Sequence, residues 1–271
     1  MARTLAAPVT VAGTSLHGGQ PVTVTLEPAP AGQGRVFRQG ETWIPADLTA
    51  ALGARLSTEL SQGGATVRTV EHLLAALAGL GIDNATVTIE GDELPILDGS
   101  ARPWVVAIAQ VGTVVQGERQ PPPPLREPVT VQQGDSFVSA VPSDRLQFTY
   151  GIDFPTAAIG RQWRTWCPDT EPFAEAIAPA RTFTLQKFIE PLRAAGLIAG
   201  GSLENAIVCD DEQWLNPPLR FADEPCRHKL LDLVGDLSLL GPLPPVHVVA
   251  YKASHVLHVE LARALATRLQ T

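Results

Sequence analysis

The chain has 271 residues, 45% hydrophobic and 18% charged, and 20 Lys+Arg against 28 Asp+Glu leave a net charge of −8. At roughly 150 residues per domain this length suggests about two domains, able to bury about three quarters of the unfolded surface, so neither disulfides nor metals are needed for a core. An acidic chain with no basic run does not work by neutralising nucleic-acid phosphates, so no nucleic-acid partner is expected.

Residues 1–13 carry one arginine, and their apolar run is broken by Pro8 and Thr10; this does not read as a secretory signal and leaves the cytoplasm as the default compartment. His17 follows in a glycine-flexed turn, Leu16-His17-Gly18-Gly19, where a pocket-lining role is open. Alternation over Val22-Thr23-Val24-Thr25-Leu26 predicts a strand. Val70, Leu73, Leu74, Leu77 and Leu80 recur at helical spacing, so a helix is predicted over 69–80, stopped by Gly81 and followed by a strand over 85–89. Residues 103–117 are too short and too polar for the ~20 apolar residues of a membrane span.

Four consecutive prolines at 121–124 read as a stiff linker and divide the chain into domains 1–120 and 125–271. Past the break, strands are predicted at 129–131 and 146–150, then a helix from Pro225 to about Leu240 ended by Gly241-Pro242, a strand over 246–251 and a final helix over 257–269. Cys167, Cys209 and Cys226 are odd in number and widely spaced, which suggests neither a disulfide framework nor a thiolate zinc site. Each half thus has strands, then a helix, a tight stop and a strand, with a histidine near the start of the helix, His72 and His228. The expected fold is α+β: two similar domains, each a β-sheet layered with helices, packed face to face around the active site.

With His228 at zero on a wheel of about 100° per residue, Asp232 falls near 40° and Asp236 near 80°, on one stripe opposite Leu230, Leu233, Val234 and Leu237. A His and an Asp at i and i+4 can converge on one cation, but the same pair is also an ordinary solvated helix face, and spacing alone leaves both open. Glu71-His72 would suit a hydrolytic metal site, one residue holding the ion and the other accepting a proton from water, yet the pair is also unremarkable at a helix start. Neither helix carries H-E-x-x-H, so ligands from both can meet only if the halves pack together. His255 stands just past a strand end, a common place for catalytic groups, while His258 reads as structural or surface and His247 as structural.

Five segments then carry a resemblance: 69–84 with Thr69-Val70-Glu71-His72, Pro95-Ile96-Leu97-Asp98-Gly99-Ser100, Ala180-Arg181-Thr182-Phe183, 227–236 with Arg227-His228-Lys229, and Tyr251-Lys252 with His255. Their order and sequence closely resemble the UDP-3-O-acyl-N-acetylglucosamine deacetylase family, zinc enzymes of lipid A biosynthesis, from residue 13 to residue 255. The resemblance implies His72, His228 and Asp232 as zinc ligands, with iron(II) also acceptable to such a set. It implies Glu71 as general base, Thr182 as a hydroxyl on the oxyanion, His255 as general acid, and Asp236 as the counter-charge behind that imidazole. For substrate, it implies Lys229 on phosphate, Phe183 against the sugar, Asp153 and Phe154 at the uracil, and His17 in the pocket, with the acyl chain in an apolar passage near residues 194–201. The implied substrate is a UDP-linked acylated amino sugar, and a monomer with transient contact to lipid-pathway enzymes is expected.

Two departures bear on this. Phe154 is followed by Pro155-Thr156-Ala157 rather than the family's frequent His-Pro, which weakens the uracil-end assignment, and Arg55-Leu56-Ser57 leaves acyl-chain preference open. Two other readings stand beside the first: a deacetylase of this fold acting on a different acylated nucleotide sugar, and a non-catalytic nucleotide-sugar or lipid binder. The intact set Glu71, His72, His228, Asp232 and His255 disfavours the binder, which needs no base, acid and open metal position together.

Overall fold

The two five-stranded sheets of the computed structural model, which describes residues 1–54 and 56–269, repeat a single topology. In the first, Val9–Thr14, Pro21–Pro28, Ala85–Glu90, Arg35–Gln39 and Thr42–Pro45 lie in that spatial order. In the second, the order is Val129–Gln133, Ser136–Pro142, Val246–Tyr251, Gln147–Asp153 and Arg161–Trp166. In both, the last strand in sequence inserts at the centre, antiparallel to the second strand and parallel to the third, while the outer pairs are antiparallel hairpins. Alternate residues of the central strands turn inward, as in Val22, Val24 and Leu26, or Val246, Val248 and Ala250, all buried.

The helices follow the same repeat. Helix α1 (Glu71–Gly79) precedes the inserted strand of the first half and α2 (Arg102–Val111) follows it. The second half adds two short helices, α3 (Phe173–Ala176) and α4 (Gln186–Ala194), and then repeats the pattern with α5 (Glu224–Leu237), the inserted strand and α6 (His255–Leu269). Between its fourth strand and first main helix each half carries an insertion. The first holds a three-stranded sheet (Ala51–Gly53, Thr58–Gln62, Ala65–Arg68), the second α3, α4 and the parallel pair Phe183–Leu185 and Ile207–Cys209. No sheet among the described residues mixes strands from before and after residues 121–124.

Helices α1 and α5 pack against each other between the two sheets, which makes α5 buried on nearly every side and leaves it no broad solvent-facing side. The stripe of His228, Asp232 and Asp236 is therefore interior, and its reading as a solvated helix face is corrected by this packing. Leu73, Leu74 and Leu77 of α1 are fully buried, each stabilising the layer by about 1.5–3 kcal/mol. The predicted helix from Pro225 to Leu240 is α5 followed by a 3-10 turn over Ser238–Leu240. The final helix begins at His255 rather than at residue 257.

Candidate active site

Three lone-pair donors meet where α1 crosses α5. His72 Nε2 lies 3.8 Å and His228 Nε2 3.4 Å from Asp232 Oδ1, the imidazoles are edge to face at 5.0 Å, and all three side chains are buried. His228 Nδ1 donates to the carbonyl of Ala180 at 3.1 Å, which fixes its tautomer and leaves Nε2 with a lone pair. Burial, with His228 adding to it, pushes His72 down to about 3, and burial also lowers His228 against the opposing pull of Asp232, so both rings are neutral at pH 7.

Burial alone would raise Asp232, but Lys229 and the surrounding imidazoles outweigh it and hold the carboxyl well below the usual carboxylate range. Its Oδ2 accepts from Lys229 Nζ at 2.6 Å, while the buried Oδ1 has no hydrogen-bond donor. A buried anionic oxygen without a donor is costly, and here it faces two neutral imidazole nitrogens. A divalent cation bound by nitrogen and oxygen satisfies all three, so the residues present fit a metal.

Glu71 opens α1 beside this cluster. Its Oε2 accepts from the backbone N–H of Thr58 at 3.0 Å, and burial, reinforced by Asp236 and Asp232 against His255, lifts it to about 8. His255 opens α6 and donates from Nδ1 to Asp236 Oδ2 at 2.8 Å, its Nε2 lying 4.0 Å from Asp232. Burial would lower this imidazole, but the charge and hydrogen bond of Asp236, with Glu71 and Asp232, raise it to about 9. Asp236 is itself held down to about 2, because the imidazoles of His255 and His258 outweigh its complete burial. The approach to both ends of the site is strained: Thr69 and Lys252 adopt φ of 57° and 51°, uncommon for residues other than glycine. Thr69 is held there by its hydroxyl on Glu93 at 3.1 Å, and Lys252 by its N–H on the carbonyl of Gly151 at 2.9 Å.

The cluster opens into a cavity of about 370 Å³ lined also by Thr182, Phe183, Phe154, Lys229 and His17. Thr182 is tied at its N–H to the Gly99 carbonyl, and Phe183 stands edge to face with both Phe154 and His228. His17 is buried, its imidazole lowered by that burial and its Nδ1 unpartnered, while its backbone N–H donates to Glu93. Asp153 does not line this cavity; it turns to Arg161 at 3.2 Å and Tyr251 at 3.0 Å. The apolar wall is Leu185, Phe188 and Leu192, on and beside α4. Residues 194–201, expected to form such a passage, are absent from it, and Ala199 and Gly200 instead pair through their N–H groups with the carbonyls of His17 and Leu16. Arg55 lies outside the described residues.

Two side chains of this site carried no usable sequence signal or were misread. His258 is neither surface nor incidental: it is fully buried, its Nδ1 is 2.8 Å from Asp236 Oδ2, and its Nε2 is 3.2 Å from Tyr150 Oη. Residues 255 and 258 share a helix face at i, i+3, a signal hidden by starting the helix two residues late. Thr58 was not anticipated, since it meets Glu71 and Asp236 from across the chain, by 13 and 178 residues.

Two imidazoles and a carboxylate around one point, with a buried carboxylate and a third imidazole facing them, are an arrangement that suits a metal-dependent hydrolase. The chain belongs to the UDP-3-O-acyl N-acetylglycosamine deacetylase family, whose model matches residues 2–267. It is similar to the UDP-3-O-acyl-N-acetylglucosamine deacetylase of Synechocystis sp., 56% identical over 98% of this chain and 99% of that one. The Thermosynechococcus vestitus protein of the same name is 56% identical over 97% of this chain and 93% of its own length. An Arabidopsis thaliana protein named probable UDP-3-O-acyl-N-acetylglucosamine deacetylase 1, mitochondrial, is 48% identical over 97% of this chain and 87% of its own. Among the described residues no helix is long and apolar enough to cross a membrane.

Proposed function

We propose that this protein hydrolyses the N-acetyl group of a UDP-linked, 3-O-acylated N-acetylglucosamine, giving acetate and the free amino sugar nucleotide in lipid A biosynthesis. The convergence of His72 Nε2, His228 Nε2 and Asp232 Oδ1 between Glu71 and His255 carries the reading. Zinc is the ion we assign to those three ligands, with iron(II) compatible with the same donors. When bound, it supplies Lewis acidity to the acetamide carbonyl and acidifies a water toward neutral pH.

Glu71 takes the proton of the attacking water. The Thr58 N–H occupies its Oε2, so Oε1 is the oxygen assigned to that transfer. As the water oxygen bonds to the carbonyl carbon, the Thr182 hydroxyl donates to the developing oxyanion. The C–N bond then breaks, and His255, held cationic by Asp236, delivers a proton to the departing amine. Lys229 spends one donor on Asp232 and keeps others for the diphosphate, an arrangement suited to a point-charge ammonium. Phe183 lies against the sugar, Phe154 stacks on the uracil, and Asp153, anchored by Arg161 and Tyr251, fixes the strand end that presents Phe154. His17 completes the pocket, and the acyl chain is assigned to the Leu185, Phe188 and Leu192 wall.

This reading takes 1–120 and 125–271 as the two domains, joined by 121–124, and the active protein as a monomer. It keeps the cytoplasm as the compartment, with which three unpaired buried cysteines agree. The test is release of acetate from the UDP-linked sugar with and without its 3-O-acyl chain, by the metal-loaded and chelated protein. Metal-dependent release that requires the acyl chain is expected; equal turnover of both sugars would move the assignment to another nucleotide sugar, and no release from either would overturn it.

A further inference from the structure

Thr58 is fully buried and bonds to both helices that build the site, α1 and α5, and to the residue that leads into α1. Its N–H donates to Glu71 Oε2 at 3.0 Å, its hydroxyl donates to Asp236 Oδ1 at 2.5 Å, and its carbonyl accepts from Val70 N–H at 3.3 Å just before α1. It lies in the inserted sheet of the first half, whereas Asp236 lies on α5 of the second. One residue therefore clasps a carboxylate from each half.

The effect on Asp236 follows from counting donors. The carboxylate is fully buried and accepts from three groups: Thr58 on Oδ1, and His255 Nδ1 and His258 Nδ1 together on Oδ2. Two imidazoles share one oxygen because the other is taken by the hydroxyl. Without that hydroxyl, Oδ1 becomes an unsatisfied buried anionic oxygen, a cost the carboxylate relieves by rotating to give each imidazole its own oxygen. Such a rotation turns the His255 ring and moves its Nε2 relative to the pocket.

We infer that Thr58 is a positioning residue for the deacetylation, its hydroxyl locking the Asp236 carboxylate so that His255 presents its Nε2 to the leaving amine. The inference rests on the function proposed above. The backbone N–H on Glu71 survives every substitution at this position except proline, so the hydroxyl can be tested without disturbing the base. A valine keeps the shape and deletes the donor, and a serine keeps the donor and deletes the methyl.

The experiment compares Thr58→Val and Thr58→Ser with the wild-type metal-loaded protein in two measurements. The first is the steady-state split between kcat and KM, with metal content determined on the same samples. The second is the low-field proton NMR of the imidazole Nδ1–H groups hydrogen-bonded to Asp236. For Thr58→Val, kcat falls on the order of tenfold to a hundredfold, as a misaligned acid should. Its KM and metal content hold, and the two low-field resonances shift. For Thr58→Ser, both measurements return to near wild type. The inference is overturned by a valine variant with unchanged kcat and resonances, by a serine variant as impaired as the valine, or by a loss confined to KM or metal content. Should the valine variant not fold, Thr58→Ala, which removes the donor without pressing a methyl on the carboxylate, is judged by the same two readouts. If the wild type releases no acetate the proposed reaction fails, while the resonances still decide whether the hydroxyl sets the Asp236 geometry.

Discussion

Gly235 of α5 lies directly against the backbone carbonyl of Glu71 at the start of α1, so close that a Cβ at position 235 would collide with it. This contact lets the helix carrying Glu71 and His72 approach the helix carrying His228 and Asp232, because a side chain there would force the two axes apart. Gly235→Ala is expected to destabilise the protein by about 1–3 kcal/mol, the usual cost of overpacking. It should also weaken metal retention, since His72 sits on the displaced helix. Thermal melting with elemental analysis checks both, and a variant with unchanged melting and metal content would separate the helix contact from the site.

For the metal, the proposed site predicts about one equivalent per chain in unchelated protein and loss of turnover on chelation, restored by zinc. Burial holds His72 down to about 3 and lowers His228 from the ordinary histidine value of about 6.5, so protons compete for these nitrogens only below that value, and least of all at His72. Metal content followed by dialysis against a pH series should stay near one equivalent through pH 6. Half-loss near pH 6.5 would mean that the ligands are ordinary exposed histidines.

The Glu71→Gln variant should keep its metal and lose about 10²–10⁴-fold in kcat, the range typical of removing a general base. The amide retains an acceptor for the Thr58 N–H, so packing is preserved. Elemental analysis beside steady-state kinetics separates this outcome from loss of the ion, and retained activity would remove Glu71 from its role.

A further expectation concerns pH. His255 is raised to about 9, so its acid form is present below that value and disappears as pH rises through it. The alkaline limb of log kcat against pH reports that loss. Asp236→Asn removes the counter-charge, favours the neutral ring and moves the limb to lower pH. The same sign applies to folding: the stability His255 gains from its raised value is full below about 6.5 and is lost as pH passes 9. Alkaline limbs that coincide in the two proteins would mean that another group titrates there.

The motif segments and their periodicities make much of this molecule legible in the chain. Val70, Leu73, Leu74 and Leu77 mark α1, and the i, i+4 spacing of His228 and Asp232 offers a ligand pair, because both signals arise within a few residues of one helix. The repeated order of helix, stop and strand likewise foreshadows two copies of one sheet topology. Short strands such as Thr58–Gln62 carry no comparable period and go unseen.

Whether the stripe on α5 faces water or the interior is not a property of its spacing, since the same residues serve either. Packing of α1 against α5 decides it, by removing water from Asp232 and Asp236 and so forcing each oxygen to find a nearby donor or ion. The clasp of Thr58 on Glu71 and Asp236, and the convergence of His255 and His258 on one carboxylate oxygen, likewise exist only once the halves are assembled. Local sequence determines which side chains a helix or strand presents; contacts such as that between Thr58 and Asp236, 178 residues apart, are set by how two sheets and their helices pack, and that packing belongs to the whole fold.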